Sequence, residues 1–341
     1  MGRLHGPSFL LWRPPDSRGG VTRLPPDGPR IPIPRPAHSQ TGRPRDHSVG
    51  AAGWPARPYD EPITTPGQAD VRIGTSGWVY PPWRGEFYPP GLPHRRELEY
   101  LSGQLRSVEL NGSFYSLQRP TSYQSWYAQT PDDFVFSVKG PRFITHMKKL
   151  RDADTLLANF FASGVLALGG KLGPILWQLP PTMRYEPDVL AAFFAALPRD
   201  TEAAAALAAK HDERLDGRAW TSTDARRPLR YALEVRHASF QVDGFGELLT
   251  THDIACVVAD SAGTWPYFEQ VTARDLVYVR LHGAEELYSS GYTPEALHSW
   301  AAKVREWRRS RDVYVYFDND VKVRAPADAR SLTALVAEPA D

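Results

Sequence analysis

Short apolar segments that end in polar, chemically capable side chains recur along this sequence. Eight of them are predicted to be β-strands, and helical patterns such as Thr155–Leu168, Pro187–Leu197 and Phe245–His252 lie between successive strands. This alternation is typical of a parallel sheet, and eight units over about 270 residues suit a (β/α)8 barrel, usually about 250 residues long. The sequence therefore predicts an α/β fold, a TIM-type barrel. The strand candidates are Val71–Trp78, Ser107–Tyr115, Phe134–Lys139, Pro174–Pro180, Tyr231–His237, Ile254–Asp260, Leu276–Gly283 and Asp312–Asp320.

The alternative fold is a doubly wound open sheet. Such folds usually carry a glycine-rich phosphate fingerprint at the first crossover, and nothing resembling one follows the first predicted strand. The clearest helix begins at Thr293-Pro294-Glu295, with a hydroxyl N-cap, a proline at the first helical position and an acid in the first turn. The barrel is the favoured architecture.

Residues 1–70 differ from the rest of the chain. They hold fourteen of the 32 prolines, with many arginines and glycines, and show neither helical nor strand periodicity. Such a composition buries too little apolar surface to offset the entropy of ordering it. We therefore predict a disordered Pro/Arg/Gly-rich arm over residues 1–70 and one barrel domain over residues 71–341. The functional alternative is a basic, proline-rich docking arm.

Composition excludes several classes of function. The formal net charge of +1 gives no global electrostatic case for binding nucleic acid or an anionic membrane. The one cysteine, Cys256, excludes an intrachain disulfide and a multi-cysteine metal site, and its apolar surroundings predict a buried side chain. No apolar run is long enough for a membrane span, and the first residues lack a secretory signal. We expect a cytoplasmic enzyme or binding protein, and the sequence leaves its oligomeric state open.

The polar residues at the strand ends are the candidate site. Alternation along a strand places side chains of one parity on one face, so we expect most of these groups to face the lumen at the carboxyl rim. The strand-eight parity is ambiguous between Asp318 and Asn319. A structural ion network is the alternative interpretation, since buried charges need partners. The catalytic candidates are Glu109, Glu234, Asp260 and His282, and the substrate-binding candidates are Trp78, Asn111, Tyr115, Lys139, Gln178, Arg236, Arg280 and Asn319.

Aromatic side chains are frequent in the segments after the predicted strands. The segment from Gly74 to Tyr88 is rich in aromatics and prolines, and Trp265 and Tyr288 follow later strands. Rings above a polar pocket can stack on a sugar or a nucleobase, or can plug the barrel mouth as additional core. Both interpretations remain open.

An ordered series of short stretches resembles the YecE-like family, domain of unknown function 72. The resemblance runs from about Val71 to the end of the chain. It implies a TIM-type barrel, whereas the family has no established reaction. Phe240 stands where tryptophan is expected, and Asp318 stands where asparagine is usual. The matching stretches are Ile73–Trp78, Glu109–Tyr115, Phe136–Lys139, Thr145-His146, Gln178–Pro180, Glu234–His237, Arg280–Gly283 and Val315–Asn319.

Three functions fit these residues. The favoured hypothesis is a hydrolase or lyase that needs no cofactor and acts on a small anionic substrate, phosphorylated or sugar-like. Its carboxylates would supply acid–base chemistry, and Lys139, Arg236 and Arg280 would bind the anion. The second is a phosphoesterase assisted by a divalent metal, although three basic groups would repel the cation. The third is a non-catalytic nucleotide or nucleic-acid binding module, which the near-neutral charge disfavours. The candidate metal ligands are Glu109, Glu234, Asp260, His282 and Asp318.

Overall fold

Eight parallel strands close into one barrel in the computed structural model, which describes residues 69–338. Each strand pairs with the next along the chain, and the last pairs with the first. The predicted TIM-type barrel is confirmed, and the open sheet is excluded. The strands are β1 Val71–Ser76, β2 Ser107–Leu110, β3 Val135–Lys139, β4 Leu172–Gln178, β5 Tyr231–Glu234, β6 Ile254–Asp260, β7 Leu276–Leu281 and β8 Asp312–Phe317.

Helices connect the strands. The helix predicted from Thr293-Pro294 begins as expected, because the Thr293 hydroxyl accepts a hydrogen bond of 3.2 Å from the amide of Ala296. One π-helical turn, Phe143–Met147, follows β3 directly. The α-helices of the described residues are α1 Glu97–Ser102, α2 Gly112–Tyr115, α3 Pro120–Ala128, α4 Asp154–Ala162, α5 Pro187–Ala196, α6 Thr201–Ala208, α7 Asp243–Thr251, α8 Pro294–Trp307 and α9 Arg324–Ala337.

The barrel separates two apolar layers. The larger core lies between strands and helices, where one face of β6 contributes Ile254, Cys256 and Val258. The other face of β6 points into the lumen, where Ala255 and Val257 belong to a smaller cluster. Cys256 is buried as predicted, and burial raises the pKa of its thiol to about 12. Buried strands of a parallel barrel are apolar on both faces, so their parity is hard to assign from sequence.

Polar contacts cross the lumen at successive heights along the barrel axis. At the amino end of the strands, Arg230 contacts Asp312 at 2.7 Å and the Tyr314 hydroxyl at 2.8 Å. Midway, the hydroxyls of Ser107 and Tyr316 lie 2.7 Å apart, as do those of Ser137 and Tyr278. These pairs satisfy buried hydroxyl groups that would otherwise be costly to bury. They also connect the middle of the barrel to the charged groups at its carboxyl end.

The second predicted strand is too long. β2 ends at Leu110, and the chain turns at Asn111 into the four-residue helix α2. Ser113 and Tyr115 therefore do not continue the lumen face of Glu109, as strand alternation had predicted. The apolar–polar pattern continued past Leu110, but the backbone conformation changed.

Two sequence predictions lie partly outside the described residues. The disordered arm covers residues 1–70, of which the structure describes only the last two. The division at residue 71 therefore stays a prediction. Within the described part of the chain, no helix has the length and apolar character needed to cross a membrane.

Gly74 permits the close approach of β1 to β2. A Cβ atom at this position would lie 2.0 Å from the carbonyl oxygen of Ser107. We expect Gly74→Ala to lower the free energy of unfolding by about 1–3 kcal/mol, because a backbone carbonyl cannot rotate aside. Gly170→Ala is the control, since its nearest neighbours there lie 4.0 Å away. Urea unfolding of both variants measures the difference, and equal stability would contradict this close approach.

Candidate active site at the carboxyl end of the barrel

Arg280 on β7 is the centre of the candidate site. Its side chain is fully buried, and it donates to carboxylates from three other parts of the barrel. Nη1 lies 2.6 Å from Glu234, and Nη2 lies 2.8 Å from Glu109 and 3.0 Å from Asp318. These carboxylates hold the pKa of Arg280 above its usual value although burial opposes this. We call the lumen-facing group Glu109, Lys139, Glu234, Arg236, Arg280, His282 and Asp318 the cup.

Glu109 has no oxygen free to take part in chemistry. Oε1 accepts hydrogen bonds from the Ser76 hydroxyl at 2.5 Å and from Arg280. Oε2 accepts from the Tyr278 hydroxyl at 2.7 Å and from Arg280 Nε at 3.0 Å. Each oxygen thus already accepts two hydrogen bonds, which fixes the orientation of the carboxylate. The structure therefore gives Glu109 a positioning role for Arg280.

Glu234 and Arg236 form a second ion pair at the exit of β5. Arg236 Nε donates to Glu234 Oε1 at 2.6 Å, and the Arg236 guanidinium lies 3.7 Å from the ring centre of Trp265. Burial alone would raise the pKa of Glu234, but Arg236 and Arg280 hold it well below its usual range. Glu234 is thus ionised, which suits electrostatic stabilisation better than proton donation.

His282 and Asp318 form a carboxylate–histidine pair. Nδ1 of the fully buried His282 lies 2.9 Å from Asp318 Oδ2. Burial and Arg280 lower the pKa of His282, while Arg280 and His282 hold the pKa of Asp318 below its usual range. A neutral ring beside an ionised Asp318 carries its proton on Nδ1, so Nε2 presents a lone pair.

The Nε2 atom of His282 is buried and finds no hydrogen-bond partner among residues 69–338. Glu234 Oε1 lies 3.8 Å from it. The rings of Trp265 and Tyr288 pack edge-on against the imidazole, with ring centres 5.6 Å and 5.4 Å away. These two rings therefore cover part of the cup, which fits the interpretation that the aromatic side chains plug the barrel mouth.

Lys139 is the cation of the cup that no carboxylate contacts. Its side chain is 7% exposed at the end of β3, and Nζ lies 4.4 Å from the ring centre of Phe114. Within the described residues its ammonium makes no ion pair, in contrast to Arg236 and Arg280. Burial and the nearby Arg280 lower the pKa of Lys139 to about 8.

His146 and Asp320 are polar groups near the cup that the sequence predictions did not select. His146 lies on the π turn and packs against Phe114 at 5.2 Å between ring centres. Burial, Arg142 and Lys139 lower its pKa to about 4. Burial and Asp318 raise the pKa of Asp320 well above its usual value. The π turn is a structural signal, since π turns are frequent at functional sites, but no sequence periodicity reveals it.

Two predicted substrate-binding residues lie at the edge of the cup. Asn111 donates to the Ser76 hydroxyl at 2.8 Å, which in turn contacts Glu109. Gln178 ends β4 opposite Glu234 in the strand register and is 5% exposed. Asn111 therefore supports Glu109 through Ser76, and Gln178 lies beside Glu234 at the carboxyl end of the barrel.

Two other predicted residues lie apart from the Arg280 cluster. Trp78 packs edge-on against Trp126 on α3, with ring centres 5.5 Å apart. Tyr115 lies on α2, is 70% exposed and contacts the Phe114 ring. Neither ring contacts a charged group of the cup.

The lumen position predicted for Asp260 is wrong, and Asn319, whose face the sequence left open, does not point into the cup. Asp260 has the parity of Cys256 and Val258, which face the helices, and its charge acts on the outer-layer hydroxyl of Tyr292. Asn319 donates to Asp328 of α9 at 2.8 Å and to the Ser290 carbonyl at 2.9 Å. The ambiguous parity of β8 is thus resolved in favour of Asp318. Asp260 and Asn319 tie the strand ends to the outer layer.

The residues proposed as metal ligands are not arranged around a space that a metal ion could occupy, because three of them surround the guanidinium of Arg280. Asp260 faces outward, and Glu109, Glu234 and Asp318 each contact Arg280. Among residues 69–338, no group of three His, Cys, Asp or Glu side chains is arranged to hold a metal ion. The donor set of the cup therefore does not fit the proposed divalent metal.

A closed barrel of eight parallel strands with its charged cluster at their carboxyl ends is a TIM-type barrel, the class whose enzymes carry their active sites at this end. Residues 72–341 match the family described as "Protein of unknown function DUF72". The chain belongs to this family, and the resemblance found in the sequence is confirmed.

Relatives and solved structures agree with this assignment. The chain is 32% identical over 112 residues to UPF0759 protein YecE of Escherichia coli K12, a match that covers 33% of this chain and 38% of that protein. It is 30% identical over 116 residues to UPF0759 protein YunF of Bacillus subtilis, covering 33% of this chain and 40% of that protein. A crystal structure of a DUF72 family protein from Thermotoga maritima has a TM-score of 0.62 at 26% identity, covering 79% of this chain and 99% of that one.

Loss of the central guanidinium should unfold the cup. Arg280→Met would leave Glu109, Glu234 and Asp318 buried without their shared cation, so we expect a loss of about 3–5 kcal/mol in unfolding free energy. Arg274→Met is the matched control, because the side chain of Arg274 is 85% exposed in its pair with Asp253. Chemical denaturation near neutral pH should find the control close to wild type.

The loss of unfolding free energy caused by Arg280→Met should become smaller as the pH falls. In the wild type, the lowered pKa values of Glu234 and Asp318 contribute stability above their unfolded values of about 4, and this stability is lost on acidification. In the variant, Glu234 keeps only Arg236 and Asp318 keeps only His282, so their pKa values rise relative to the wild type and protonation relieves part of the cost. Unfolding measured from about pH 7 to about pH 2 should show the two proteins converging. A constant difference would mean that the carboxylates do not depend on Arg280.

Proposed function

We propose that this chain is an enzyme, a hydrolase or lyase, that binds a small anionic substrate in the cup, such as a phosphorylated or sugar-like compound. The observation that carries the proposal is the unequal pairing of charges. Each carboxylate of the cup contacts Arg280, Arg236 or His282, whereas the ammonium of Lys139 contacts no carboxylate among the described residues. An anionic ligand would supply the missing partner.

In this proposal, His282 acts as the general base that accepts a proton from the substrate. Asp318 fixes the proton on Nδ1 and leaves the lone pair of Nε2 available, which is the arrangement a general base requires. Glu234, with Oε1 at 3.8 Å from Nε2, would stabilise the imidazolium once the proton is taken. Trp265 and Tyr288 must move aside for a substrate to reach Nε2, since His282 is fully buried beneath them.

The carboxylates keep a part in this chemistry, although a different one from that expected of acids and bases. Glu109 orients Arg280, and Glu234 and Asp318 set the charge and tautomer of His282. The anion would lie near Lys139 and Arg236, the two cations of the cup closest to its mouth by exposure. Gln178, which ends β4 beside Glu234, would donate a hydrogen bond to it.

Anion binding can be measured before a substrate is known. We expect inorganic phosphate to bind the wild type in isothermal titration calorimetry and Lys139→Met to bind it at least about tenfold more weakly, as loss of one charge-assisted contact implies. Lys322→Met is the control, because that exposed lysine pairs with Glu286 outside the cup. Equal phosphate affinity in wild type and Lys139→Met would contradict the proposed anion site.

Turnover tests the catalytic part of the proposal. A panel of sugar phosphates and sugar acids is incubated with the wild type, and their consumption is followed by mass spectrometry. We expect His282→Asn to slow consumption of an accepted compound by about 10²–10⁴-fold, the usual contribution of a positioned general base. The exposed His298, whose Nδ1 contacts the Pro294 carbonyl on α8, provides the control His298→Asn.

The pH profile adds a second readout. Activity should fall on acidification through the lowered pKa of His282, because only the neutral ring can accept a proton. A folded His282→Asn variant with wild-type turnover would exclude His282 as the base. Consumption of no panel compound by the wild type would contradict the enzyme proposal for these substrate classes.

A further inference from the structure

Two buried lysines of the barrel differ in how their ammonium groups are held. Lys171 is 3% exposed, and its Nζ donates to the carbonyls of Tyr127 and Thr130 at 2.7 Å each. Lys139 is 7% exposed, yet its Nζ makes no hydrogen bond or ion pair within residues 69–338 and rests on the Phe114 ring. The hydrogen bonds of Lys171 explain its burial as structural. Lys139 has no such hydrogen bonds among the described residues, so its burial lacks this structural explanation.

We infer that Lys139 is a nucleophile that forms an imine with the carbonyl carbon of a small anionic aldehyde or ketone, which places the chain among the lyases. The inference rests on the proposed function, because it uses the same cup and the same class of small anionic substrate. It goes further by naming the reacting atom, Nζ of Lys139, and the reacting group of the substrate.

The surroundings of Lys139 favour the neutral amine that such a reaction needs. Burial and Arg280 lower its pKa to about 8, while Glu109 on β2, Asp318 just after β8 and Glu234 on β5 act in the opposite direction. Roughly one Lys139 in ten is then neutral near pH 7, on the order of 300-fold more than for a lysine with the ordinary pKa of about 10.5. A lysine in a poorly solvated pocket beside another cation is a recognised way to obtain a nucleophilic amine.

The step balances without an added oxidant or reductant. The amine lone pair attacks the carbonyl carbon, the C=O electron pair moves to oxygen, and a proton passes from nitrogen to that oxygen. The hydroxyl of the resulting neutral carbinolamine then takes a proton from solvent and leaves as water, while the nitrogen lone pair forms a protonated C=N bond between Nζ and the substrate. The positive charge then next to the substrate carbon can accept electrons when an adjacent C–C or C–H bond breaks.

Neighbouring groups suit the proton movements of this step. The His146 ring contacts the same Phe114 ring that lies under Lys139, and its pKa of about 4 keeps it uncharged near neutral pH. His146 can therefore pass a proton between the amine and the departing hydroxyl. Arg236, at the mouth of the cup, can hold the anionic group of the substrate while its carbonyl meets Lys139.

Reduction traps such an imine as a stable amine. The protein is incubated with pyruvate, glyoxylate or dihydroxyacetone phosphate, treated with sodium borohydride, and mapped by peptide mass spectrometry. We expect at least one of the three probes to leave a covalent adduct on Lys139, and none of them to label Lys171. Labelling should rise from about pH 7 to about pH 9 and then level off, because the neutral fraction saturates above the pKa.

The variant Lys139→Arg separates this inference from the proposed function. Arginine keeps the cation above Phe114 but cannot form the imine, so the adduct should vanish while phosphate binding persists. Absence of a Lys139 adduct with all three probes, or labelling spread evenly over surface lysines, overturns the inference. Turnover retained by Lys139→Arg overturns the imine step and leaves the proposed enzyme intact. A wild type that neither binds phosphate nor consumes any compound of the panel would instead count against the proposed function itself.

Discussion

Arg280 determines how the carboxyl end of this barrel is built. Its guanidinium contacts Glu109 from β2, Glu234 from β5 and Asp318 beyond β8, and it does so without exposure to solvent. A buried guanidinium is costly unless every contact is well placed. The surrounding hydroxyls of Ser76 and Tyr278 complete the arrangement by donating to Glu109. His282 is joined to this centre through Asp318, which contacts both residues.

The sequence predicted the architecture well and the faces of its strands unevenly. Apolar segments alternating with helical patterns were enough for the barrel, since that pattern has few other solutions. Period-two alternation also placed Glu234, Arg280 and Lys139 correctly on the lumen side. It failed for Asp260, because both faces of β6 are apolar and the terminal aspartate could belong to either. It failed for Tyr115, because the chain becomes helical at Gly112 without a change in residue pattern.

The candidate site was harder to predict than the fold for a physical reason. Sequence identifies which side chains carry charge, but not which charges neutralise one another. Glu109 and Glu234 are natural acid–base candidates by residue type, yet both oxygens of Glu109 already accept hydrogen bonds, and Arg236 and Arg280 lower the pKa of Glu234. Lys139 has the same residue type as Lys171, and only the three-dimensional contacts separate them. Burial, pairing and the tautomer of His282 all depend on residues far apart in the chain.

The dependence of Glu109 on Arg280 also bears on how the barrel is assembled. The two residues are separated by 171 positions in the chain, so Glu109 leaves the ribosome long before its cation does. A fragment containing only the first four strands would have to desolvate Glu109 without Arg280, which costs several kcal/mol. Such a fragment cannot form a dry half-barrel of the native kind. We therefore expect closure of the lumen to wait for the last strands of the chain, because the charged centre cannot be completed before Arg280 is present.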